Sequence, residues 1–157
     1  MAEISNGKPL ELLLIEDENN LRELFKSFLD SKEAKVTAAA DGLEGIAHYT
    51  KRLHEENPYD AVLTDLKMPR ADGAAVIHIV KLLSLKTQVI VITGRESTSE
   101  YQKLEEKLGK LKPDGILHKP ILLDDLKYAV DQISAVMQRR KTEPTYQPEP
   151  SFYLKTS

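Results

Sequence analysis

The chain has 157 residues, enough for one domain with a substantial core and short for two. Its apolar fraction is 41%, its charged fraction 30% and its net charge -3, as in ordinary soluble proteins, and no basic stripe favours nucleic acid. Cysteine is absent, which excludes disulfides and thiolate metal sites. No apolar run approaches the roughly 20 residues of a membrane span, and residues 1–8 lack the apolar core of a signal peptide. We therefore expect a cytoplasmic domain that binds neither nucleic acid nor membrane.

From residue 10 onwards, five short apolar runs alternate with five helical patterns. The predicted strands cover residues 10–15, 36–40, 61–65, 89–92 and 116–117. After each of them, apolar residues recur at helical spacing, in the rows Leu21, Leu24, Phe25, Phe28 and Leu29; Leu43, Ile46, Ala47, Thr50 and Leu53; Val76, Ile77, Val80 and Leu83; Leu104, Leu108 and Leu111; and Leu126, Val130, Ile133 and Met137. This alternation predicts an α/β fold, with a parallel sheet covered by helices on both faces.

Local signals define helix starts and the limits of the domain. The residue pairs typical of helix starts are Asp41 with Glu44, Asp72 with Gly73, and Ser97 with Glu100. Because the composition changes after Gln138, we predict a domain over residues 10–139, an N-terminal tail over 1–9 and a proline-containing tail over 140–157. Three placements are open for the tail residues Phe152 and Tyr153: they dock on the domain, pair with another chain or stay loose.

Four of the predicted strands end on polar side chains. Glu16 and Asp17 follow the first strand, Asp65 ends the third, Thr93 follows the fourth and Lys119 follows the fifth. Since the carboxyl ends of parallel strands meet at one edge of a sheet, where ligands bind, we expect these side chains to converge. Clustered carboxylates favour a hard divalent cation such as Mg²⁺, while a lysine and a hydroxyl suit a phosphoryl group. The pattern indicates phosphoryl transfer, with Asp65 as the nucleophile that forms an acyl-phosphate.

The residues around these positions resemble the four signatures of bacterial response-regulator receiver domains. The matching segments are residues 14–18, 63–69 with Asp72 and Gly73 after them, 91–94 and 117–120. The resemblance covers about residues 10–139. It implies a flavodoxin-like sheet of five strands in the order 2-1-3-4-5 with five helices, as in stand-alone receivers of the chemotaxis type.

At the acidic positions, the resemblance implies a magnesium site and a phosphoacceptor. Asp65 would accept a phosphoryl group from a sensor histidine kinase or a phosphotransfer protein. Asp17, Asp65 and the backbone carbonyl of Lys67 would bind Mg²⁺, and Glu16 would reach the ion through water. The protein would then be a two-component signalling module, not an enzyme beyond its own phosphorylation and autodephosphorylation.

The resemblance also implies a switch at the remaining positions. Thr93 would bond a phosphoryl oxygen and shift on activation, Lys119 would pair with the phosphate, and Pro120 would hold its loop, commonly through a cis peptide bond. A downstream protein would bind the altered face, and the chain would be a monomer or a phosphorylation-dependent dimer. Ile116 departs from the family pattern, because an aromatic residue that rotates on activation usually stands there.

Other interpretations of the same residues remain open. Asp65 could simply make a turn at the strand end, Glu16 and Asp17 could complement the helix dipole, and Lys119 could be a solvated lysine. Separately, the chain could be a receiver-like protein–protein interaction module that is never phosphorylated. A haloacid-dehalogenase phosphatase also uses a strand-end aspartate, but it needs a second aspartate where Lys67 stands. Flavin binding requires a phosphate-binding loop after the first strand, and the sequence there is acidic.

Overall fold

The fold is a doubly wound α/β sheet. The computed structural model describes residues 8–31, 33–68, 70–94, 98–142 and 152–154. Within them, the elements in chain order are β1 (Leu10–Ile15), α1 (Asn19–Leu29), β2 (Ala34–Ala39), α2 (Gly42–His54), β3 (Ala61–Asp65), α3 (Gly73–Leu83), β4 (Gln88–Thr93), α4 (Thr98–Leu111), β5 (Gly115–His118), α5 (Leu123–Thr142) and β6 (Phe152–Leu154). The predicted cap at Ser97 and the motif residue Pro69 lie outside the described residues, as do the side chains of Leu104, Phe152 and Tyr153.

All neighbouring strands are parallel, and their order is β2-β1-β3-β4-β5-β6. The predicted order 2-1-3-4-5 with five helices is therefore confirmed. β2 lies on one side of β1, and all later strands are added on its other side, starting with β3. The structure differs beyond residue 139, where a tail is predicted: α5 continues to Thr142, and β6 adds a sixth strand beside β5.

Two of the predicted helix starts are confirmed by their hydrogen bonds. The Glu44 amide donates to Asp41 Oδ1 over 2.8 Å, and the Ala75 amide donates to Asp72 Oδ1 over 3.0 Å. Each bond satisfies an amide that the first helical turn leaves without a backbone partner. Both helices consequently begin at a defined residue beside the carboxyl edge of the sheet.

The strands alternate between two hydrophobic cores, one on each face of the sheet. The α1/α5 core contains Leu12, Leu14, Leu63, Ile90, Ile92 and Leu117 from the strands, with Phe25, Leu29, Leu126, Ala129 and Ile133 from the two helices. The α2/α3/α4 core contains Leu13, Ile15, Val62, Val89, Val91 and Ile116, with Tyr49, Val76, Ile77, Val80 and Leu108 from the three helices. Consecutive strand residues point to opposite faces, so each central strand contributes to both cores.

Several residues in the predicted apolar rows are exposed instead. Leu24 is 50% exposed, Phe28 39%, Leu43 47% and Leu83 46%. Leu24 and Phe28 are one helical turn apart and lie on the flank of α1, because its buried face is narrower than the five-residue row. Leu83 is the last residue of α3.

Candidate functional site

Asp65 lies at the carboxyl end of a strand that is buried along its whole length. Its register partner on β4 is Ile92, whose carbonyl also accepts from the Leu66 amide over 3.0 Å. The Asp65 side chain is 7% exposed, so it reaches solvent only at the edge of the sheet. A carboxylate placed there is accessible to a small molecule or to the tip of a partner side chain.

Three carboxylates meet at this edge, as the sequence predicts. One carboxylate oxygen from each of Glu16, Asp17 and Asp65 lies within 4.8 Å of the other two. Glu16 is fully buried and its Oε2 has no hydrogen-bond partner among the described residues, whereas Asp17 is exposed. An unpaired buried carboxylate oxygen is costly unless a cation or a proton satisfies it. This donor set, made of oxygens alone, fits Mg²⁺.

Burial makes the Glu16 carboxyl a weaker acid than an ordinary glutamate. Burial, together with the hydrogen bond and negative charge of Asp65, raises the pKa of Glu16 to about 8, while the Lys119 ammonium acts in the opposite direction. Without a cation beside it, Glu16 is therefore harder to ionise at neutral pH than an ordinary glutamate. A divalent cation beside the cluster would compensate the charge and favour the ionised form.

Lys119 supplies the positive charge of the site. Its Nζ lies 3.0 Å from Asp65 Oδ2 and 3.4 Å from Glu16 Oε1. Burial alone would lower the pKa of this ammonium, but the hydrogen bond and charge of Asp65, with those of Glu16, outweigh it and raise the pKa. The Lys119 amide donates to the Thr93 carbonyl over 2.7 Å, and the following peptide bond to Pro120 is cis, as the resemblance implies.

Thr93 brings an unused hydroxyl to the same edge. It is the last residue of β4, directly after the Ile92 that pairs with Asp65. Thr93 is 3% exposed, and its Oγ1 has no hydrogen-bond partner among the described residues. A buried hydroxyl without a protein partner keeps its capacity to donate a hydrogen bond to a group that enters the site.

Arg22 belongs to the site although the sequence alone does not reveal it. Its Nη1 donates to the Glu16 carbonyl over 2.9 Å and to the Asp17 carbonyl over 3.5 Å. These bonds hold the turn that presents both carboxylates, and the first turn of α1 has no side-chain cap of its own. Arginine is common on helices, so only its position five residues after Asp17 could have drawn attention to it.

The described residues between β3 and α3, 66–68 and 70–72, form the acceptor turn. Gly73 follows this turn as the first residue of α3, and its amide donates to the Leu66 carbonyl over 2.8 Å. A Cβ at Gly73 would lie 2.2 Å from the Asp65 carbonyl oxygen, so only glycine allows this approach. Lys67 is exposed in this turn, and its carbonyl as a metal ligand stays a prediction.

Two ion pairs tie the acceptor turn to neighbouring helices. Arg70 Nη1 lies 3.1 Å from Asp41 Oδ2 at the start of α2. Asp72 Oδ2 lies 3.9 Å from Lys107 Nζ on α4. The backbone that follows Asp65 is thereby linked to both helices.

Ile116 occupies the position where the resemblance leads us to expect an aromatic ring. It is 7% exposed and belongs to the α2/α3/α4 core together with Leu108. A branched aliphatic side chain packed in this way cannot rotate between a buried and an exposed position as a ring does.

The fold and the acidic edge define a receiver, and comparison with known proteins agrees. The family model of the response regulator receiver domain matches residues 12–131, so this chain belongs to the receiver domain family of two-component systems. Among the residues that the structure describes, no helix has both the length and the apolar character needed to cross a membrane.

Curated relatives share the matched region but are longer. The chain is 34% identical over 120 residues to transcription factor SKN7 of Candida albicans, covering 76% of this chain and 20% of that protein. It is 31% identical over 117 residues to transcriptional regulatory protein DltR of Streptococcus agalactiae, covering 74% of this chain and 48% of that protein. The chain thus spans at most about half the length of these two relatives.

Solved structures match most of the chain. A response regulator receiver domain protein from Clostridium thermocellum aligns with a TM-score of 0.67 and 25% identity, over 85% of this chain and 98% of that one. The receiver domain of Francisella response regulator 1452 aligns with a TM-score of 0.66 and 26% identity, over 81% of this chain and 98% of that one.

Proposed function

We propose that this receiver is a phosphorylation-controlled signalling module in which Asp65 is the phosphoacceptor. The observation that carries the proposal is the convergence on Asp65 of two further carboxylates and the Lys119 ammonium. The donor would be the phosphohistidine of a sensor histidine kinase or a phosphotransfer protein, and the site of action would be the cytoplasm. A downstream protein would read the phosphorylated state.

The chemistry follows from the positions of the side chains. An Asp65 carboxylate oxygen attacks phosphorus, the bond from phosphorus to the donor nitrogen breaks, and the imidazole leaves as a neutral group after taking up a proton. Asp17, Asp65 and the Lys67 carbonyl would hold Mg²⁺, with Glu16 reaching it through water, and the ion would neutralise charge on the phosphoryl oxygens. The Lys119 ammonium pairs with one phosphoryl oxygen. The unpartnered Thr93 hydroxyl donates to another, drawing the end of β4 towards the site.

The test is phosphorylation by a small donor. The full chain is incubated with Mg²⁺ and acetyl phosphate, and its intact mass is measured before and after hydroxylamine, which cleaves acyl-phosphates. We expect the parent to gain one phosphoryl adduct that hydroxylamine removes. No adduct should form on Asp65→Asn, or on the parent when Mg²⁺ is chelated before the donor is added.

Asp60→Asn is the matched control. Asp60 stands just before β3, as Asp65 stands at its end, and its Oδ2 accepts from the Glu11 amide over 2.8 Å. An asparagine oxygen keeps that bond, so this variant should be phosphorylated like the parent. If the parent forms no adduct, or if Asp65→Asn forms one equally well, the proposal is wrong. An unreactive parent would favour the interaction module, for which the packed Ile116 is the supporting observation.

A further inference from the structure

The sixth strand covers an edge that the five-strand receiver sheet leaves open. Gly115, Ile116 and Leu117 of β5 pair in register with Phe152, Tyr153 and Leu154 of β6. Without β6, the outer backbone groups of β5 would face solvent, and an uncovered edge of this kind readily accepts another strand. The chain therefore supplies its own cover for the edge next to the site.

This pairing is the shortest in the sheet. β6 has three residues, whereas β1, β2 and β4 have six each. β5 is also held on its other side by β4, through register pairs from Ile90 with Gly115 to Thr93 with His118. Release of β6 would therefore break one short set of backbone hydrogen bonds and leave the five-strand sheet intact.

The freed edge and the freed strand are complementary to each other. Every copy of the chain carries both β5 and residues 152–154, so the pairing made within one copy can be made between two copies with the same contacts. Association of this kind needs no new surface, and the dimer fraction rises with protein concentration.

We propose that β6 is a detachable cover of the β5 edge, and that two copies dimerise by exchanging residues 152–154. Leu117, which pairs with Leu154, stands two residues before Lys119 of the site. The exchanged strand would thus lie beside the segment that carries the site lysine. This inference concerns association of the chain and holds whether or not Asp65 is phosphorylated.

Single-cysteine variants test the exchange, because the parent chain contains no cysteine to interfere. Full-length Ile116→Cys and full-length Tyr153→Cys are mixed under reducing conditions, concentrated, then oxidised mildly, and the products are identified by intact mass. Since the two positions are paired in register, a disulfide joining one variant to the other reports β5 of one copy against β6 of another. The control mixture is Ile116→Cys with Leu154→Cys, which is displaced by one residue and places the thiols on opposite faces of the sheet.

The expected result is a mixed disulfide dimer of Ile116→Cys with Tyr153→Cys that increases with concentration and exceeds the control at least tenfold. The double variant carrying both cysteines in one chain should form an internal disulfide when dilute. Failure of that internal disulfide would show that β6 does not cover β5. An internal disulfide without any mixed dimer would show that the cover does not exchange. Either result overturns the proposal.

Sedimentation equilibrium of chains without cysteine gives an independent measurement. Phe152→Pro/Tyr153→Pro removes the backbone N–H groups of two adjacent strand residues, one of which must face β5. We expect the parent to dimerise with rising concentration and this variant to remain a monomer with an unchanged circular dichroism spectrum. Equal dimerisation of both proteins, or a parent that stays monomeric at all concentrations, contradicts the exchange.

Discussion

At the scale of single residues, Glu16 is a carboxyl group whose ionisation opposes folding in the absence of metal. Its pKa rises from 4.5 to about 8, so the stability that its protonated form provides is complete below pH 4.5 and disappears as the pH rises to about 8. We expect Glu16→Gln to gain stability relative to the parent progressively between pH 5 and pH 8, on the order of 1 kcal/mol per pH unit. Urea unfolding with a chelator present measures this difference.

The affinity for Mg²⁺ should rise with pH, whereas the stability of the metal-free chain falls. Since Mg²⁺ favours the ionised Glu16, its affinity for the parent should increase from pH 6 to pH 8, and should change much less in Glu16→Gln. Equal pH profiles of stability for the two proteins would mean that Glu16 ionises normally in the folded chain.

Arg22 gives a second prediction at the residue scale, because it acts on the metal site through the backbone. Its bonds to the carbonyls of Glu16 and Asp17 orient both carboxylates. Partners of this kind typically change metal affinity by 10–100-fold, and we expect Arg22→Met to weaken Mg²⁺ binding by about 10-fold in a titration calorimeter.

Lys26→Met is the matched control for Arg22. Lys26 lies one turn later on the same helix and, among the residues that the structure describes, pairs with exposed Asp30 at 3.0 Å. The control should bind Mg²⁺ like the parent, and Arg22→Lys should recover part of the affinity. If both methionine variants bind equally well, Arg22 does not position the carboxylates.

The polar residues at the strand ends were predictable from sequence, while their surroundings were not. Asp65 ends an apolar run next to a motif, so its position at the sheet edge follows from the alternation of strands and helices. The complete burial of Glu16 beside exposed Asp17 depends on how β1 is flanked by β2 and β3, which no local pattern records. The bonds of Arg22 likewise depend on the exact entry of α1.

At the scale of elements, the close approach of α3 to β3 depends on Gly73. An alanine Cβ there would lie 2.2 Å from the Asp65 carbonyl oxygen and 2.7 Å from the Leu66 Cα, both backbone atoms that cannot rotate away. We expect Gly73→Ala to destabilise the chain by about 1–3 kcal/mol and to slow phosphorylation by acetyl phosphate, because the acceptor turn must shift.

Gly109→Ala is the matched control for Gly73. Gly109 lies within α4, and a Cβ there would have no atom within 4 Å. Alanine favours the helix over glycine, so this variant should be stabilised by up to about 1 kcal/mol in chemical unfolding. Equal stability of the two alanine variants would show that the acceptor turn yields without cost.

Long elements were predictable, and the short final strand was not. The pattern of α5 is clear at Leu126 and Ile133, but the helix also includes the basic residues up to Lys141, where charge and not apolar spacing sustains the last turn. β6 has only three residues after a segment with several prolines, too few for any periodicity to appear. Its pairing depends on the open edge of β5, which is a property of the assembled sheet.

At the scale of the whole molecule, the two cores share their central strands. Leu12 and Leu14 of β1 face one core and Leu13 and Ile15 the other, and β3 and β4 alternate in the same way. Loss of one core would therefore remove the support of the other. This division between faces was predictable once the order of strands was known, because it follows from the two-residue period of a strand.

Unfolding should accordingly be a single transition. We expect Leu126→Ala in the α1/α5 core and Ile77→Ala in the α2/α3/α4 core each to lower the free energy of unfolding by about 2–5 kcal/mol. Both side chains are fully buried, and Leu82→Ala, at a residue 74% exposed, is the control, with a change within about 0.5 kcal/mol. Helical circular dichroism and the near-ultraviolet signal of buried Tyr49 should change together in every variant. Separate midpoints for the two signals would show that the faces unfold independently.

The two ion pairs at the acceptor turn give the molecule a sensitivity to ionic strength. Arg70 is 62% exposed in its contact with Asp41, and Lys107 and Asp72 are about half exposed, so dissolved salt reaches both pairs. The Debye length falls from about 10 Å at 0.1 M to about 3 Å at 1 M, which screens exposed charges far more than buried ones. The contact between Lys119 and Asp65, with its aspartate side chain 7% exposed, is largely protected. Concentrated salt would thus weaken the two ion pairs of the acceptor turn, while the contact between Lys119 and Asp65 persists.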